Sequence, residues 1–290
     1  MFTGAMVALI TPFQDGEIDF QTLEELIDFQ LNNDIDAIVP VGTTGESPTL
    51  SHDEHKQLIE RIVKIVDGQT PVIAGAGSNS TAEAIELTAF AKTVGADATL
   101  QVTPYYNKPT QEGFYQHFKA IAEEVDLPIV LYNIPGRCGA GMTPDTIARL
   151  AEVENIVAIK EATGSLDQAS EIAIQCGITI ISGDDSLTLP LASVGGKGVI
   201  SVAANIVPAD VKAMTDLILE GDFASARQWH NKLFTLCKNM LTLATNPIPI
   251  KAAMAMLNMA PEELRLPMTP LEENKKAILK QTLRNYGLLE

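Results

Sequence analysis

Cysteine, basic charge and long apolar runs are all scarce in this sequence. Its three cysteines, Cys138, Cys176 and Cys237, are odd in number, far apart and without a Cys-x-x-Cys pair. This spacing argues against a disulfide framework and against a zinc site, so we expect reduced thiols. Histidine is scarce too, with four residues, and the helically spaced pair His52 and His55 has no evident third ligand. We therefore expect no bound metal.

Acidic residues outnumber basic residues in the chain as a whole. Lysine and arginine together number 20 against 37 aspartates and glutamates, which gives a formal net charge of −17. Nucleic acids and anionic membranes bind basic surfaces, so we expect neither as a partner. The first basic residue is Lys56, which leaves no basic n-region of a signal peptide. No apolar run approaches the roughly 18 residues of a membrane span, so we expect a cytoplasmic protein.

Short β-like runs alternate with helical segments along the first two-thirds of the 290 residues. Helix-start signals separate these runs, such as the capping-box pattern from Ser51 to Glu54 and the proline of Thr143-Pro144. Eight β–α units predict an α/β fold, a (β/α)8 TIM barrel over residues 1–221, followed by a C-terminal helical region over 222–290. An open doubly wound sheet is the structural alternative. The predicted strands are 5–10, 37–41, 71–74, 98–102, 128–131, 156–159, 178–181 and 198–202.

Lys160 is the most informative single residue, because it ends the apolar run NIVAIK at 155–160. A lysine in a buried strand is costly, since burial disfavours the charged ammonium. The same burial makes the free amine available as a nucleophile toward a carbonyl carbon, which favours a Schiff-base enzyme. The alternative is a lysine whose head leaves the strand and reaches water.

The barrel prediction brings scattered polar residues to one place. Active sites of such barrels lie at the carboxyl ends of the strands, where a lysine, threonines and tyrosines would supply a nucleophile and a proton relay. The polar or small residues predicted at this rim are Thr11, Thr43, Thr44, Gly75, Tyr105, Tyr106, Tyr132, Asn133, Lys160, Gly183, Asp184, Asp185 and Ser201.

Five motifs resemble those of the dihydrodipicolinate synthase family, within the class I pyruvate-dependent aldolases. They are VGTTGE at 41–46, TPYYN at 103–107, LYNIPGR at 131–137, IKEAT at 159–163 and NPIPIK at 246–251. The similarity runs from Phe2 to the C-terminus. It implies a barrel with a C-terminal helical part.

The resemblance also implies a reaction. Lys160 would form an imine with pyruvate, and the derived enamine would add to the aldehyde of L-aspartate 4-semialdehyde. The product is 4-hydroxy-tetrahydrodipicolinate, an intermediate of lysine and diaminopimelate biosynthesis. The iminium is itself the electron sink, so no cofactor is implied. Tyr132 would donate and accept protons near the imine, with Thr43 and Tyr106 completing a hydroxyl relay.

Substrate-binding positions follow from the same resemblance. It implies that Thr44 and the backbone at Ile200 contact pyruvate and that Gly183 is a further substrate-binding position. It also implies that Tyr106 reaches the site of a neighbouring subunit in a homotetramer. Arg137 would grip the carboxylate of the aldehyde substrate, because a guanidinium fork suits a carboxylate. Two positions depart from the common pattern: Cys138, where threonine is usual, and Pro48, where alanine is usual.

Family members that respond to free lysine bind it at a subunit interface. The matching positions here are Ser47, Pro48, His52, His55, Asn79, Glu83 and Tyr105. An ordinary polar interface is the alternative for these residues. Two alternatives for the whole protein also stay open: a sugar-acid aldolase or N-acetylneuraminate lyase of the same superfamily, and a barrel that binds a small anion without catalysis.

Overall fold

The structure is a computed structural model that describes residues 2–290. Eight of its ten strands form one sheet in the order β4-β1-β10-β9-β8-β7-β6-β5, with every pair parallel. The strands are β1 Gly4–Ala8, β2 Phe13–Gln14, β3 Glu17–Ile18, β4 Ala37–Val39, β5 Ile73–Gly75, β6 Ala98–Val102, β7 Ile129–Asn133, β8 Ile156–Glu161, β9 Thr179–Ser182 and β10 Gly198–Ser201.

The two ends of this sheet meet. A parallel bridge joins Ile38 of β4 to Val72 just before β5, and the Ile38 amide donates to the Pro71 carbonyl at 2.9 Å. The sheet therefore closes into a barrel with helices between its strands, which confirms the (β/α)8 prediction and excludes the open doubly wound sheet. Each of the eight predicted strands is present, and no strand end differs from its predicted position by more than two residues.

Helices cover the outside of the barrel and form the C-terminal region. Ser51 and Glu54 make the predicted capping box at the start of α2, whereas the side chain of Ser80, the N-cap residue of α3, makes no cap hydrogen bond. The helices are α1 Phe20–Leu31, α2 His52–Val66, α3 Thr81–Val94, α4 Gln111–Glu124, α5 Pro135–Cys138, α6 Pro144–Leu150, α7 Leu166–Gln175, α8 Thr188–Ala192, α9 Pro208–Glu220, α10 Phe223–Thr242, α11 Ile248–Met256 and α12 Glu273–Tyr286.

The barrel interior is a packed layer of side chains rather than a channel. Its buried cluster includes Met6, Val39, Leu100, Val130 and Ile181, one from each of five strands. The tyrosine of β7 and the isoleucine of β10 that were predicted for the site, Tyr132 and Ile200, belong to the same cluster. The apolar side chains thus fill the barrel interior beneath the site, and the reactive polar groups lie at the carboxyl ends of the strands.

The C-terminal helices share a core with the barrel. Leu233 and Met240 of α10 and Leu279 of α12 lie in one buried cluster with Leu23 of α1 and Leu58 of α2. Asp222 caps α10 through a hydrogen bond from the Ser225 amide at 3.0 Å. The domain boundary at residue 221 stays a prediction. Across residues 2–290, no helix is both long and apolar enough to cross a membrane.

A small antiparallel hairpin, β2–β3, was not among the predicted strands. Asp15 and Gly16 form its turn, both with positive φ, and an Asp-Gly pair is the residue pattern that a two-residue hairpin turn favours. The Glu263 carboxylate accepts hydrogen bonds from the amides of both turn residues, at 2.8 and 2.6 Å. The hairpin is thereby joined to the C-terminal region.

Candidate active site

Lys160 lies within β8, and Tyr132 of β7 is its neighbour in the parallel register. The Lys160 side chain is 6% exposed, and its Nζ lies 4.3 Å from the centre of the Tyr132 ring. The interpretation in which Lys160 reaches water is therefore wrong. The structure holds this amine inside the rim, against the π face of an aromatic ring.

Burial lowers the pKa of Lys160 from its ordinary 10.5 to about 8. The positive charge of Arg137 lowers this pKa further, and the negative charge of Asp185 raises it. At pH 7 a pKa of about 8 leaves roughly a tenth of the amines unprotonated, against less than about a thousandth for an ordinary lysine. Lys160 therefore has the free-amine population that attack on a carbonyl requires.

Tyr132 is a proton carrier whose ring contacts this amine. Burial raises the pKa of its phenol to about 12, while Arg137 and a hydrogen bond with the Thr43 side chain act in the lowering direction. The phenol is consequently protonated at neutral pH. Paired with the Thr43 hydroxyl, it can pass a proton only in a relay with a neighbouring group, rather than as a free base.

Asp185 was recognised as a rim residue but not as part of the site. Its buried carboxylate accepts hydrogen bonds from the Ser201 hydroxyl, from the Val202 amide at 2.9 Å and from the Ala203 amide at 3.4 Å. It therefore fixes the backbone just after Ile200. Burial raises the pKa of Asp185, and this residue is also the acidic group that acts on Lys160. The double aspartate at the end of a strand was the available signal.

Gly183 packs directly against the lysine. A Cβ built on Gly183 would lie 2.6 Å from the Ala162 Cβ and 3.2 Å from the Lys160 Cε. No side chain fits there unless its neighbours move, so glycine at this position lets the backbone form the wall beside the amine.

A cavity of about 330 Å³ opens at the carboxyl end of the barrel. Thr43, Arg137, Cys138 and Asn246 are among the residues that line it, whereas Lys160 and Tyr132 are not. Thr43 thus belongs to the cavity wall, and its side chain also acts on the phenol of Tyr132 by lowering its pKa. Burial raises the pKa of the Cys138 thiol, which argues against a nucleophilic role for it.

Two predicted substrate-binding residues meet at Asn246, which the sequence argument had not singled out. The Asn246 Nδ2 donates to the Thr44 hydroxyl at 3.0 Å, and the Arg137 Nη2 donates to the Asn246 carbonyl at 3.0 Å. Thr44 is buried, while Arg137 is exposed at the cavity wall. Membership of the NPIPIK motif was the available signal for Asn246.

Tyr106 is not brought to Lys160 within one chain. Its side chain is 90% exposed, and it is absent from the lining of the cavity. Its backbone has a φ of +73°, a left-handed conformation that is strained for tyrosine and costs about 1–3 kcal/mol. The role of Tyr106 in a neighbouring subunit stays a prediction.

A second cavity, of about 130 Å³, gathers most of the predicted lysine-binding residues: Ser47, Pro48, His52, His55, Glu83 and Tyr105. Asn79 lies beside it and donates to the Tyr105 carbonyl at 3.1 Å. Ser47, Pro48, Gly77 and Tyr105 also line the larger cavity, so the two share a wall.

Glu83 is the charged centre of this second cavity. Its carboxylate contacts His52 Nε2 at 2.6 Å and accepts a hydrogen bond from the Ser78 hydroxyl. His55 Nε2 lies 2.7 Å from the Gly75 carbonyl, and burial lowers the pKa of His55. His52 and His55 therefore have partners other than a metal. Over residues 2–290, no cluster of three or more potential metal-ligating side chains is present.

A buried ion pair anchors the loop that carries Thr43 and Thr44. Lys251 of α11 pairs with Glu46, both are almost fully buried, and Lys251 also donates to the Glu263 carbonyl at 2.7 Å. Sequence analysis named Lys251 only as the last residue of the NPIPIK motif and did not identify its carboxylate partner.

Known proteins resemble the chain along its whole length. The model of the dihydrodipicolinate synthetase family matches residues 1–286. The 4-hydroxy-tetrahydrodipicolinate synthase of Geotalea uraniireducens is 54% identical, with 100% of both chains covered. The crystal structure of dihydrodipicolinate synthase from Aquifex aeolicus has a TM-score of 0.97 and 51% identity, covering 99% of each chain.

A further solved structure, dihydrodipicolinate synthase from Cyanidioschyzon merolae with lysine bound, has a TM-score of 0.95 and 43% identity over 99% of each chain. Family, relatives and fold agree with the resemblance that the five motifs indicated. The chain belongs to the dihydrodipicolinate synthetase family, and its activity is that of a 4-hydroxy-tetrahydrodipicolinate synthase, a lyase of lysine and diaminopimelate biosynthesis.

Proposed function

We propose that Lys160 carries this reaction as the Schiff-base nucleophile that joins pyruvate to L-aspartate 4-semialdehyde. The observation that supports the proposal most is the buried amine, with its lowered pKa, against the Tyr132 ring. Its Nζ attacks the keto carbon of pyruvate, and loss of water leaves an iminium. The iminium withdraws electrons from the adjacent methyl group, so a methyl proton is lost and an enamine forms.

The second half of the reaction joins the two substrates. The enamine carbon attacks the aldehyde carbon of the semialdehyde, and the new alkoxide takes up a proton. The amino group of the substrate then attacks the imine carbon, closes the ring and releases Lys160 as a free amine. Tyr132 and Thr43 are the proposed proton carriers, because the Tyr132 ring contacts the amine and the Thr43 side chain acts on the Tyr132 phenol.

Binding roles divide between two sets of groups. Thr44, Gly183 and the backbone at Ile200 are the proposed contacts of pyruvate. Arg137 is the proposed partner of the semialdehyde carboxylate, since it is a cation at the cavity wall. Because the chain has a formal net charge of −17, a local cation at this wall would favour binding of a substrate carboxylate.

Borohydride reduction in the presence of pyruvate tests the nucleophile. We expect one pyruvate-derived adduct per chain, mapped to Lys160 by peptide analysis, and no adduct in Lys160→Ala. An adduct on Lys251 or Lys108 would reject the assignment. Arg137→Ala should keep the adduct but lose turnover with the semialdehyde, whereas equal loss of both would make Arg137 structural. Vigorous cleavage of a sugar acid would favour a sugar-acid aldolase instead.

We also propose a homotetramer in which Tyr106 completes the site of a neighbouring subunit. The exposed Tyr106 side chain supports this, because an isolated chain gives it nothing to contact at the rim. Mixed oligomers of Lys160→Ala and Tyr106→Phe should recover activity if sites are shared, and should stay inactive if each subunit is self-sufficient. Sedimentation of the unmodified protein measures the oligomer. The cytoplasm stays the predicted location.

Free lysine is the proposed effector at the second cavity. A relative with lysine bound supports this, together with Glu83, which offers a carboxylate to an ammonium beside the histidines. Because the two cavities share a wall, lysine bound in the second cavity can change the wall of the larger one. We expect a coupling free energy of about 1–3 kcal/mol between the two sites. Millimolar lysine should lower activity without simple competition with pyruvate, and Glu83→Ala should relieve it. No lysine binding by calorimetry would leave these residues as an ordinary interface.

A further inference from the structure

Asn246 joins the two groups that are proposed to hold the carboxylates of the two substrates. It lies in the segment between α10 and α11 and is 7% exposed. Its side-chain Nδ2 donates to the Thr44 hydroxyl, and its main-chain carbonyl accepts from Arg137, each at 3.0 Å. The two contacts use different parts of one residue, so substitution of the side chain alters the first and keeps the second.

A hydroxyl group has one hydrogen and two lone pairs, and its hydrogen rotates toward the best available acceptor. The Asn246 amide nitrogen can only donate, so it occupies a lone pair of the Thr44 oxygen. The hydrogen of Thr44 then has no acceptor in this contact and stays available to an incoming carboxylate. We propose that Asn246 is a positioning residue for pyruvate: it orients the Thr44 hydroxyl as a hydrogen-bond donor. This inference rests on the proposed function, in which Thr44 contacts pyruvate.

A comparison with Asn205 shows how few contacts the Asn246 side chain makes besides its hydrogen bond to Thr44. Asn205 is also buried, and its amide uses both ends: Oδ1 accepts from the Ile10 amide at 3.2 Å, and Nδ2 donates to the Ala8 carbonyl at 2.8 Å. The Asn246 Oδ1, in contrast, is buried with no hydrogen-bond partner among residues 2–290. Gln30 and Gln101 also have a buried amide oxygen without a partner, so the proposal rests on the contact with Thr44 and not on the unused Oδ1.

The expected signature is a change in the KM for pyruvate. Asn246→Ala should raise it about tenfold, the value of one ordinary hydrogen bond, with kcat and the KM for the semialdehyde nearly unchanged. Asn246→Asp is nearly the same size but presents a carboxylate that accepts the Thr44 hydrogen and repels an anion. It should raise the KM for pyruvate more than Asn246→Ala does.

A double-mutant cycle with Thr44→Val separates positioning from bulk damage. If Asn246 acts through Thr44, Asn246→Ala should add nothing once Thr44 is valine. Asn155→Ala is the matched control, because it removes an amide that donates to the carbonyls of Ala122 and Val125 at the opposite end of the barrel. It should leave the KM for pyruvate unchanged.

Saturation curves of the borohydride-trapped adduct report pyruvate binding directly. Additive effects in the cycle, or an unchanged KM for pyruvate in both Asn246 variants, would overturn the role of Asn246 while leaving Lys160 as the nucleophile. Absence of a Lys160 adduct from the unmodified protein would instead overturn the proposed function. If Asn246→Ala does not fold, Asn246→Asp decides alone: a KM for pyruvate no higher than that of the unmodified protein rejects the proposal.

Discussion

Two lysines are buried in this protein, and they differ in their partners. Lys160 is 6% exposed and lies over the Tyr132 ring, and no carboxylate within residues 2–290 forms an ion pair with it. Lys251 is 0% exposed and pairs with Glu46, with the Phe13 ring 4.3 Å from its Nζ. Burial lowers the pKa of both, but Glu46 counteracts this at Lys251. The partner therefore decides whether a buried lysine is a nucleophile or a structural cation.

The residues around Lys251 also hold the loop that carries Thr43 and Thr44 in place. Glu46 has a left-handed backbone, with φ of 55°, in the loop that follows Thr43 and Thr44. Its second carboxylate oxygen accepts from the Arg265 amide at 3.1 Å, and Arg265 pairs with Glu54 of α2 at 2.5 Å. The ion pairs thus attach the hydroxyl-bearing loop to the C-terminal region. The comparison predicts opposite responses when each lysine is removed.

The largest effect concerns activity. Lys160→Ala removes the nucleophile, so we expect turnover to fall by about 10⁴-fold or more, with the pyruvate adduct lost. Lys251→Met leaves the nucleophile in place and should still form the adduct on Lys160. Steady-state rates and adduct mass for both variants check this. Loss of the adduct in folded Lys251→Met, as judged by circular dichroism, would contradict the division of roles.

Next in size is the stability of the ion pair. Lys251→Met leaves Glu46 buried without its cation, which should lower the free energy of unfolding by about 3–5 kcal/mol. Adding Glu46→Gln to Lys251→Met removes the unpaired charge and should recover part of the loss. Urea unfolding of the two variants measures both effects. A double variant that is less stable than Lys251→Met alone would show that Glu46 has another essential partner.

Whether a feature of these two lysines could be predicted from the sequence depends on how far apart along the chain the interacting residues are. Lys160 could be found because its burial follows from its own strand and from a local motif. The Glu46–Lys251 pair joins residues 205 positions apart, and the Asn246–Thr44 bond spans 202. No local sequence pattern around either residue of such a pair predicts its partner. The two residues come into contact only because the barrel closes and the C-terminal helices pack on it.

The same limit applies to the rest of the fold and site. The eight strands were predicted because each is a short apolar run between helix signals. The hairpin at Asp15-Gly16 was missed because its two strands have two residues each and carry no periodicity. Asp185 was placed at the rim, yet its three donors come from the following strand and loop, which sequence alone does not align with it.

A smaller effect, of opposite sign to that at Lys251, is expected at Lys160. Its pKa falls from 10.5 to about 8 on folding, so the folded protein opposes the charged ammonium. Below pH 8 this costs about 3 kcal/mol, and the cost disappears as pH rises from 8 to 10.5. Lys160→Met should therefore stabilise the protein at pH 7 by up to about 3 kcal/mol. Lys64→Met, at an exposed position, is the control with no expected change. Destabilisation by Lys160→Met would mean that the amine is well solvated or paired.

The smallest effect is the pH dependence of imine formation. With the pKa of Lys160 at about 8, the free amine falls tenfold per pH unit below that value and levels off above it. The rate of adduct formation at low pyruvate should therefore rise from pH 6 and bend near pH 8. Arg137 lowers this pKa and Asp185 raises it, so Arg137→Ala should move the bend upward and Asp185→Asn downward. Lys251→Met should leave it in place, because Lys251 is not among the groups that act on Lys160. Rapid-quench trapping across the pH range measures the bend, and a midpoint near 10 in the unmodified protein would show that burial does not activate this amine.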